Sequence, residues 1–267
     1  MVLGLQPVAR SSLSDAVFDQ LCAQILGQRI DPGQSLPPER ELATTLGVNR
    51  GAIREALKRL AQAGLVEQRH GGGTYVLDYR RSGDLGLLSR LLVTPEGEAD
   101  PLVARSIMEM RAALAPDIAR LCAERAAPEL VAGLRELVAS MRETAAEDDE
   151  AALAALQQAS LELWDLLVQG SENIAYRLAF NTLRRTYEQL REVLLLPLAA
   201  ELAAVDRCAA LVEAVAAGDG QRAHEQAEGL VALGSAGVQT AFELLAALES
   251  GPAPGPDPQA QPKEPKS

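Results

Sequence analysis

Three basic residues of this chain are spaced for contact with a charged surface. Arg50, Arg54 and Lys58 lie four residues apart and would share one flank of a helix. Farther along, Arg69 and His70 come directly before a run of glycines. Arginine and lysine bind phosphate, and arginine can also donate two parallel hydrogen bonds to the O6 and N7 atoms of guanine. The chemistry that this pattern favours is DNA binding.

The surrounding sequence predicts the elements that position these groups. Asn49 is a suitable N-cap for the basic helix, and Gly64 would end it. A shorter helix precedes it, with the Pro37-Pro38 pair in its first turn and a left-handed glycine cap at Gly47. Apolar residues spaced at i, i+3, i+4 and i+7 predict the inward side of the basic helix: Ile53, Ala56, Leu57 and Leu60. Two short helices with a tight turn predict a helix-turn-helix.

A glycine-tipped ribbon follows the helices. One strand begins at Leu65 and Val66, Thr74–Val76 begin its return partner, and Gly71–Gly73 supply the turn. Upstream, Ser14–Gln28 is predicted to be the first helix. Spaced arginines alone are usually a solvated helix face, and glycines alone a loop, so the prediction depends on their order and tight spacing. The sequence predicts an α+β winged helix-turn-helix domain over residues 1–81, with its core at 12–78.

The run LPPERELATTLGVNRGAIREALKRLAQAGLVEQRHGGGTYV resembles the DNA-binding domain of GntR-type bacterial transcriptional regulators. The resemblance implies DNA contacts by the arginine of the PPER segment, the start of the recognition helix and the wing tip: Arg40, Asn49, Arg50, Gly51, Arg54, His70 and Gly71. The usual family pattern after the valine is Ser-Arg-Thr-Pro, whereas this chain has Asn-Arg-Gly-Ala. The operator sequence of the family therefore does not carry over.

The formal net charge of −12 is unevenly distributed. Residues 1–81 carry ten basic and eight acidic side chains, a charge of +2, whereas the remainder carries −14. Attraction to phosphate acts over about 8–10 Å, the Debye length at physiological salt. The acidic charge of the remainder therefore does not prevent residues 1–81 from binding DNA. We do not expect the acidic remainder itself to bind DNA.

The rest of the chain is predicted to be helical. The segment from Arg80 to Asp84 is interpreted as a hinge, and helices are predicted at 84–92, 101–126, 128–147, 150–169, 172–196, 199–217 and 219–249. Residues 82–250 would form an all-α antiparallel bundle that binds an effector and dimerises. The Pro- and Gly-rich residues 251–267 are predicted to be a disordered tail.

Composition excludes several classes of protein. No continuous apolar run reaches membrane-spanning length, and the N-terminus lacks the features of a signal peptide. Cys22, Cys122 and Cys208 are scattered, which argues against disulfides and a zinc site. A nucleophile–base pair, a carboxylate dyad and a metal cluster are all missing from the sequence pattern, so we predict no enzymatic activity. The expected location is the cytoplasm.

The helical part resembles the effector domain of the FadR branch of GntR regulators, through EMRAALAPDIARLCAERA, GSENIAYRLAFNTLRRTY and LVEAVAAGDGQRA. Many members hold a metal with one Asp and three His. The corresponding positions here are Ser160, Trp164, Cys208 and Leu230, of which tryptophan and leucine cannot be ligands. We therefore predict no metal and no cofactor.

The resemblance to the metal-free, acyl-CoA-sensing subgroup implies four ligand contacts: Arg111, Tyr176, Asn181 and Tyr187. The alternative is that the tyrosines are core aromatics and that Arg111 pairs with a nearby glutamate. The predicted function is a ligand-responsive repressor that binds a palindromic double-stranded DNA operator as a homodimer, without membrane contact. An acyl-CoA or related acidic metabolite is the expected effector. The alternatives are a small carboxylate, or a ligand-independent DNA-binding dimer.

Overall fold

The structure is a computed structural model that describes residues 13–69, 72–93, 99–147 and 149–249. The described residues up to Ile107, together with Asn181–Gln189, form one compact unit. Those of Met108–Phe180 and from Leu190 onward form another. His70, Gly71 and the tail from Gly251 lie outside the described residues.

The first unit begins with a winged helix-turn-helix. Its elements are α1 (Leu13–Leu26), α2 (Glu39–Thr45), α3 (Arg50–Gln62), β1 (Val66–Arg69) and β2 (Gly73–Val76). The strands are antiparallel, with Val66 opposite Val76 and Arg69 opposite Gly73. Segment 33–36 also bonds to β2, through the amide of Leu36 and the carbonyl of Thr74 at 2.8 Å. Nothing in the sequence pattern indicates that segment 33–36 pairs with β2.

The predicted inward side of the recognition helix is confirmed. Ile53, Ala56, Leu57 and Leu60 are all buried, and they share one core with α1 and the strands. Gly47 and Gly64 have φ of +65° and +71°, the left-handed conformation expected of glycines that end helices. The expectation for α2 needs correction, because the helix begins only at Glu39, after Pro38.

The segment predicted as a hinge is structured and attached to the winged domain. Residues Tyr79–Ser82 form α4, Leu85–Leu87 a single turn of 3-10 helix and Leu88–Leu92 helix α5. The Ser82 hydroxyl donates to the carbonyl of Gly64 at 2.6 Å, and Leu87 is buried in the core of the first unit. That core therefore extends beyond residue 81, and the boundary between residues 81 and 82 stays a prediction.

The remaining described chain is helical, as predicted. Its helices are α6 (Pro101–Arg125), α7 (Pro128–Ala145), α8 (Glu150–Gly170), α9 (Ile174–Gln189), α10 (Arg191–Leu194), α11 (Ala199–Leu202), α12 (Val205–Ala216) and α13 (Gly220–Glu249). The prediction of one helix over 172–196 and another over 199–217 is wrong. Helical structure is interrupted at Leu190 in the first segment and at 203–204 in the second. Within the second unit, α12 packs on α7 and α13, and α11 packs on α8 and α13.

Helix α13 differs from the sequence-based expectation in one respect. From Gly220 to Leu248 it is long and apolar enough to cross a membrane by length and composition, the one such helix among the described residues. Core helices of water-soluble proteins meet the same criterion. Ala223, Ala227, Leu230 and Val231 are buried within the second unit, whereas only 22% of the apolar window is buried.

Candidate DNA-reading surface and effector site

The recognition helix α3 presents a cap at its start and basic groups along its outer side. The Asn49 side chain accepts a hydrogen bond from the amide of Ala52 at 2.9 Å, which satisfies an otherwise unpaired amide of the first turn. Arg50, Arg54 and Lys58 are exposed, as their spacing predicted. The apolar inner side anchors the helix in the core of the first unit. The basic outer side leaves its charged groups accessible to an anionic partner.

Gly51 occupies a restricted place in the same turn. A Cβ atom at this position would lie 3.0 Å from Oδ1 of Asn49, the atom that caps the helix. A larger residue would therefore require the Asn49 side chain to shift by a few tenths of an ångström. The DNA contact of Gly51 that the family resemblance implies stays a prediction.

Arg54 is held by an acidic partner from the preceding helix. Its Nε donates to Oε2 of Glu39 at 2.7 Å, and 68% of the arginine side chain remains exposed. Exposed ion pairs of this kind contribute about 0–1 kcal/mol, so DNA can replace the carboxylate at small cost. Arg40, the neighbour of Glu39 in α2, is exposed as well.

The wing carries a stacked arginine at the end of β1. Arg69 donates from Nε to Glu67 at 2.6 Å, and its guanidinium carbon lies 4.4 Å from the centroid of the Tyr75 ring. Gly73 has φ of +93°, which allows the turn into β2. The predicted contacts of His70 and Gly71 fall outside the described residues and stay predictions.

A phenylalanine of α1 connects the recognition helix to α5. The guanidinium carbons of Arg59 on α3 and Arg90 on α5 lie 4.3 and 4.7 Å from the centroid of Phe18. Arg59 also pairs with Asp15, and Arg90 with Asp19, both on α1. This cluster, which we call the Phe18 clamp, had no recognisable pattern because its members are far apart in sequence.

In the second unit, Arg111 makes a largely buried ion pair. Its guanidinium donates to both carboxylate oxygens of Glu201, at 2.8 Å for the Nη1–Oε2 bond. The side chains are 23% and 3% exposed. Trp164 of α8 lies beside the pair, with the guanidinium carbon 5.9 Å from its ring centroid. Of the two interpretations of Arg111 from sequence, its pairing with a glutamate is the one that the geometry displays.

Tyr176 is also engaged by an acid. Its hydroxyl donates to Oδ2 of Asp117 at 2.7 Å. Burial by itself would raise the pKa of Asp117, but the hydrogen bonds from Tyr176 and Arg120 outweigh it and hold that pKa below its usual value. The two other predicted ligand residues, Asn181 and Tyr187, belong to the first unit, where both are half-buried.

Comparison with known proteins agrees with this geometry. The family described as "Bacterial regulatory proteins, gntR family" matches residues 13–76, and the FCD domain matches residues 106–232. The HTH-type transcriptional regulator Mce2R of Mycobacterium tuberculosis is 40% identical over 231 residues, which are 86% of this chain and 93% of that protein.

The chain belongs to the GntR family. It is a DNA-binding transcriptional regulator with an FCD effector-binding domain, a pairing that is consistent with the FadR subfamily.

Two further proteins extend the comparison. A protein named for regulation of the L-lactate dehydrogenase operon of Escherichia coli is 30% identical over 219 residues, 80% of this chain and 81% of that protein. The structure of Lar, which controls expression of the agr system in Listeria monocytogenes, aligns with a TM-score of 0.53 at 16% identity. The alignment covers 86% of this chain and 98% of Lar, and it shows a shared fold.

The metal positions of FCD domains can be tested against the donors of this GntR-family chain. Trp164 and Leu230 offer no lone pair to a metal, since an indole nitrogen only donates. Burial raises the pKa of Cys208 to about 12, which keeps its thiol protonated in the metal-free protein. The described residues contain no cluster of three or more His, Cys, Asp or Glu side chains placed to hold an ion. These residues do not fit the metal, and metal-free sensing remains a prediction.

Sequence reasoning missed acidic partners at both sites. Glu39 was noticed only as part of a motif, and Glu201 was not singled out at all. Glu201 lies in α11, a short helix whose register the sequence does not reveal, and its partner Arg111 lies 90 residues earlier. A polar residue in an otherwise apolar helical segment was the only available signal.

Proposed function

We propose that this GntR-family regulator is a cytoplasmic repressor that binds a palindromic operator as a homodimer and changes its operator affinity when an effector binds. Arg40, Asn49, Arg50, Gly51, Arg54, His70 and Gly71 are the proposed DNA contacts. The observation that carries the proposal is the exposure of Arg50 and Arg54 at the start of a helix whose opposite side is buried. Residues 1–81 would bind DNA, and residues 82–250 would bind effector and partner subunit.

The homodimer is supported by two considerations. One small winged domain makes too few phosphate and base contacts for operator-level affinity, whereas two-fold symmetry doubles them. The second unit also exposes large apolar side chains that a second copy could cover. More than half of each is exposed: Ile174, Leu178, Val193, Leu196, Leu244, Leu245 and Leu248.

The proposed effector is an acyl-CoA or a related acidic metabolite, bound without metal by Arg111, Tyr176, Asn181 and Tyr187. The metal-ligand positions filled by tryptophan and leucine support a metal-free site. A small carboxylate is the second candidate, because one relative carries a name that refers to the L-lactate dehydrogenase operon. An effector acts only through its different affinities for DNA-competent and DNA-incompetent states. The expected coupling is about 1–3 kcal/mol.

Selection of binding sites from a pool of random duplexes tests the DNA half of the proposal. We expect an inverted repeat to be enriched, and light scattering of the complex to show two chains per duplex. Enrichment of a single half-site by a monomer would contradict the homodimer.

A melting-temperature screen against acyl-CoAs, small carboxylates and divalent metals tests the effector half, because a ligand of the folded state raises the melting temperature. A ligand found this way should change the affinity for the selected operator. If no compound changes either quantity, the ligand-independent dimer replaces the proposal.

A further inference from the structure

The indole nitrogen of Trp164 is buried without a hydrogen-bond partner. Trp164 is the single tryptophan of the chain, and its side chain is 7% exposed. Among the described residues, its Nε1 is the one buried side-chain nitrogen or oxygen in this condition. Native proteins pair nearly all such atoms, so this exception calls for a partner from outside the chain, either an ordered water or a bound ligand. Because the indole nitrogen can only donate, that partner must be a hydrogen-bond acceptor.

The group beside the indole is an ion pair whose charges cancel. Glu201 accepts from both ends of the Arg111 guanidinium, and this guanidinium lies over the Trp164 ring. The neighbourhood therefore offers no uncompensated positive charge to a free carboxylate.

Close packing of α13 keeps Glu201 in this position. A Cβ atom on Gly234 would lie 2.0 Å from Oε2 of Glu201 and 3.1 Å from Nη1 of Arg111, so the helix backbone closes directly against the pair. Three residues later, a Cβ atom on Gly237 would lie 1.9 Å from the carbonyl oxygen of Pro197. The segment that carries Glu201 therefore packs directly against α13 at two glycines, Gly234 and Gly237. An incoming anion cannot take Arg111 without moving this segment away from α13.

We infer that Trp164 contacts the effector directly, and that its N–H donates to an uncharged carbonyl oxygen, such as that of a thioester or ester. The inference rests on the proposed effector-binding function and refines it, because it replaces Arg111 by Trp164 among the residues that touch the effector. It favours an acylated compound over a free carboxylic acid. In this account Arg111 is a positioning residue, which orients Trp164 and the packing around it while Glu201 neutralises it.

The single tryptophan makes the test direct. Isotope-labelled full-length protein gives one indole N–H cross-peak, which should move downfield when a hydrogen bond forms. The three probes are octanoyl-CoA, octanoate and coenzyme A, so that acyl chain and nucleotide are separated. We expect octanoyl-CoA to raise the melting temperature and shift the cross-peak, and the other two probes to leave the cross-peak unchanged at the same concentration.

Two variants sharpen the assignment. Trp164→Phe keeps an aromatic ring without the donor and should bind octanoyl-CoA about five- to tenfold more weakly, the loss of one hydrogen bond. Glu201→Gln leaves the charge of Arg111 uncompensated and should gain binding of octanoate. Glu213→Gln removes a carboxylate that pairs with Arg135 at the surface, and it should behave as wild type. The wild-type spectra decide the question even if Glu201→Gln fails to fold.

The outcomes separate this inference from the proposed function. A downfield shift with octanoate as large as with octanoyl-CoA would overturn the uncharged acceptor. A raised melting temperature with an unmoved cross-peak would leave effector binding intact but place the ligand away from Trp164. Absence of both responses to octanoyl-CoA overturns the acyl carbonyl. The proposed function as a ligand-responsive regulator would be overturned only if no metabolite changed the operator affinity.

Discussion

Two arginine–glutamate pairs, one in each unit, differ in how much water reaches them. In the first unit, Arg54 pairs with Glu39 while 68% of the arginine side chain is exposed. In the second, Arg111 pairs with Glu201 at exposures of 23% and 3%. An exposed pair can be exchanged for a phosphate or base at little cost, whereas breaking a buried pair leaves an uncompensated charge. The first pair is therefore suited to binding a charged partner, and the second to fixing structure.

The largest expected effect comes from breaking the buried pair. Arg111→Met should lower the free energy of unfolding by roughly 3–5 kcal/mol, because Glu201 would remain buried without a counter-ion. The matched variant Arg54→Met should change it by about 0.5 kcal/mol or less. Urea unfolding followed by circular dichroism measures both. Equal effects of the two variants would remove the distinction between the pairs.

The next effect concerns Arg50, which is exposed in the first turn of α3. Arg50→Ala should weaken operator binding by roughly 1–3 kcal/mol and relax the preference for one base pair of each half-site. Fluorescence anisotropy with the selected operator and with single-base variants measures this. Lys58→Ala is a useful control, since loss of a phosphate contact weakens binding to all sequences alike.

A smaller effect is expected from releasing Arg54. Glu39→Gln removes the carboxylate that competes with DNA, so affinity for random duplexes should rise several-fold. The slope of log K against log salt should steepen by about one. Glu41→Gln removes a charge from the same turn of α2 without touching the Arg54 bond, and it should have the weaker effect. An unchanged salt slope in Glu39→Gln would mean that the released Arg54 does not contact a phosphate.

The smallest effect tests the Phe18 clamp. Arg90→Ala removes one stacked guanidinium and the bond to Asp19, and should destabilise the first unit by about 1 kcal/mol or less. Arg80→Ala, whose guanidinium lies over the adjacent Tyr79 and joins no separate elements, is the control. Amide exchange of α5 should accelerate in Arg90→Ala alone. Equal exchange rates in the two variants would show that α5 is held by Leu87 without the clamp.

The sequence predicted the winged part well because its determinants are local. The Asn49 cap, the glycine caps and the buried stripe of α3 all depend on residues within one or two helical turns. Longer-range features were not visible. The pairing of segment 33–36 with β2 and the Phe18 clamp both join residues that only the tertiary fold brings together. The predicted hinge is held in place by contacts of Ser82 and Leu87.

For the second part of the chain, the sequence predicted the helices but not the contacts between the candidate site residues. Boundaries marked by proline were placed well, whereas the breaks at Leu190 and at 203–204 carry no proline or glycine and were missed. Arg111 and Tyr176 were selected through family resemblance. Their partners Glu201 and Asp117 depend on helix packing, which a periodic pattern does not specify.

The central claim, that exposed arginines at the start of α3 read DNA, is tested most directly with Arg54→Ala. Titrations of this variant and the wild type on the selected operator and on a random duplex of equal length give four affinities. We predict a loss of roughly 5- to 150-fold on the operator, equivalent to 1–3 kcal/mol, and a clearly smaller loss on the random duplex. Unchanged operator affinity in a variant of normal stability would contradict the claim.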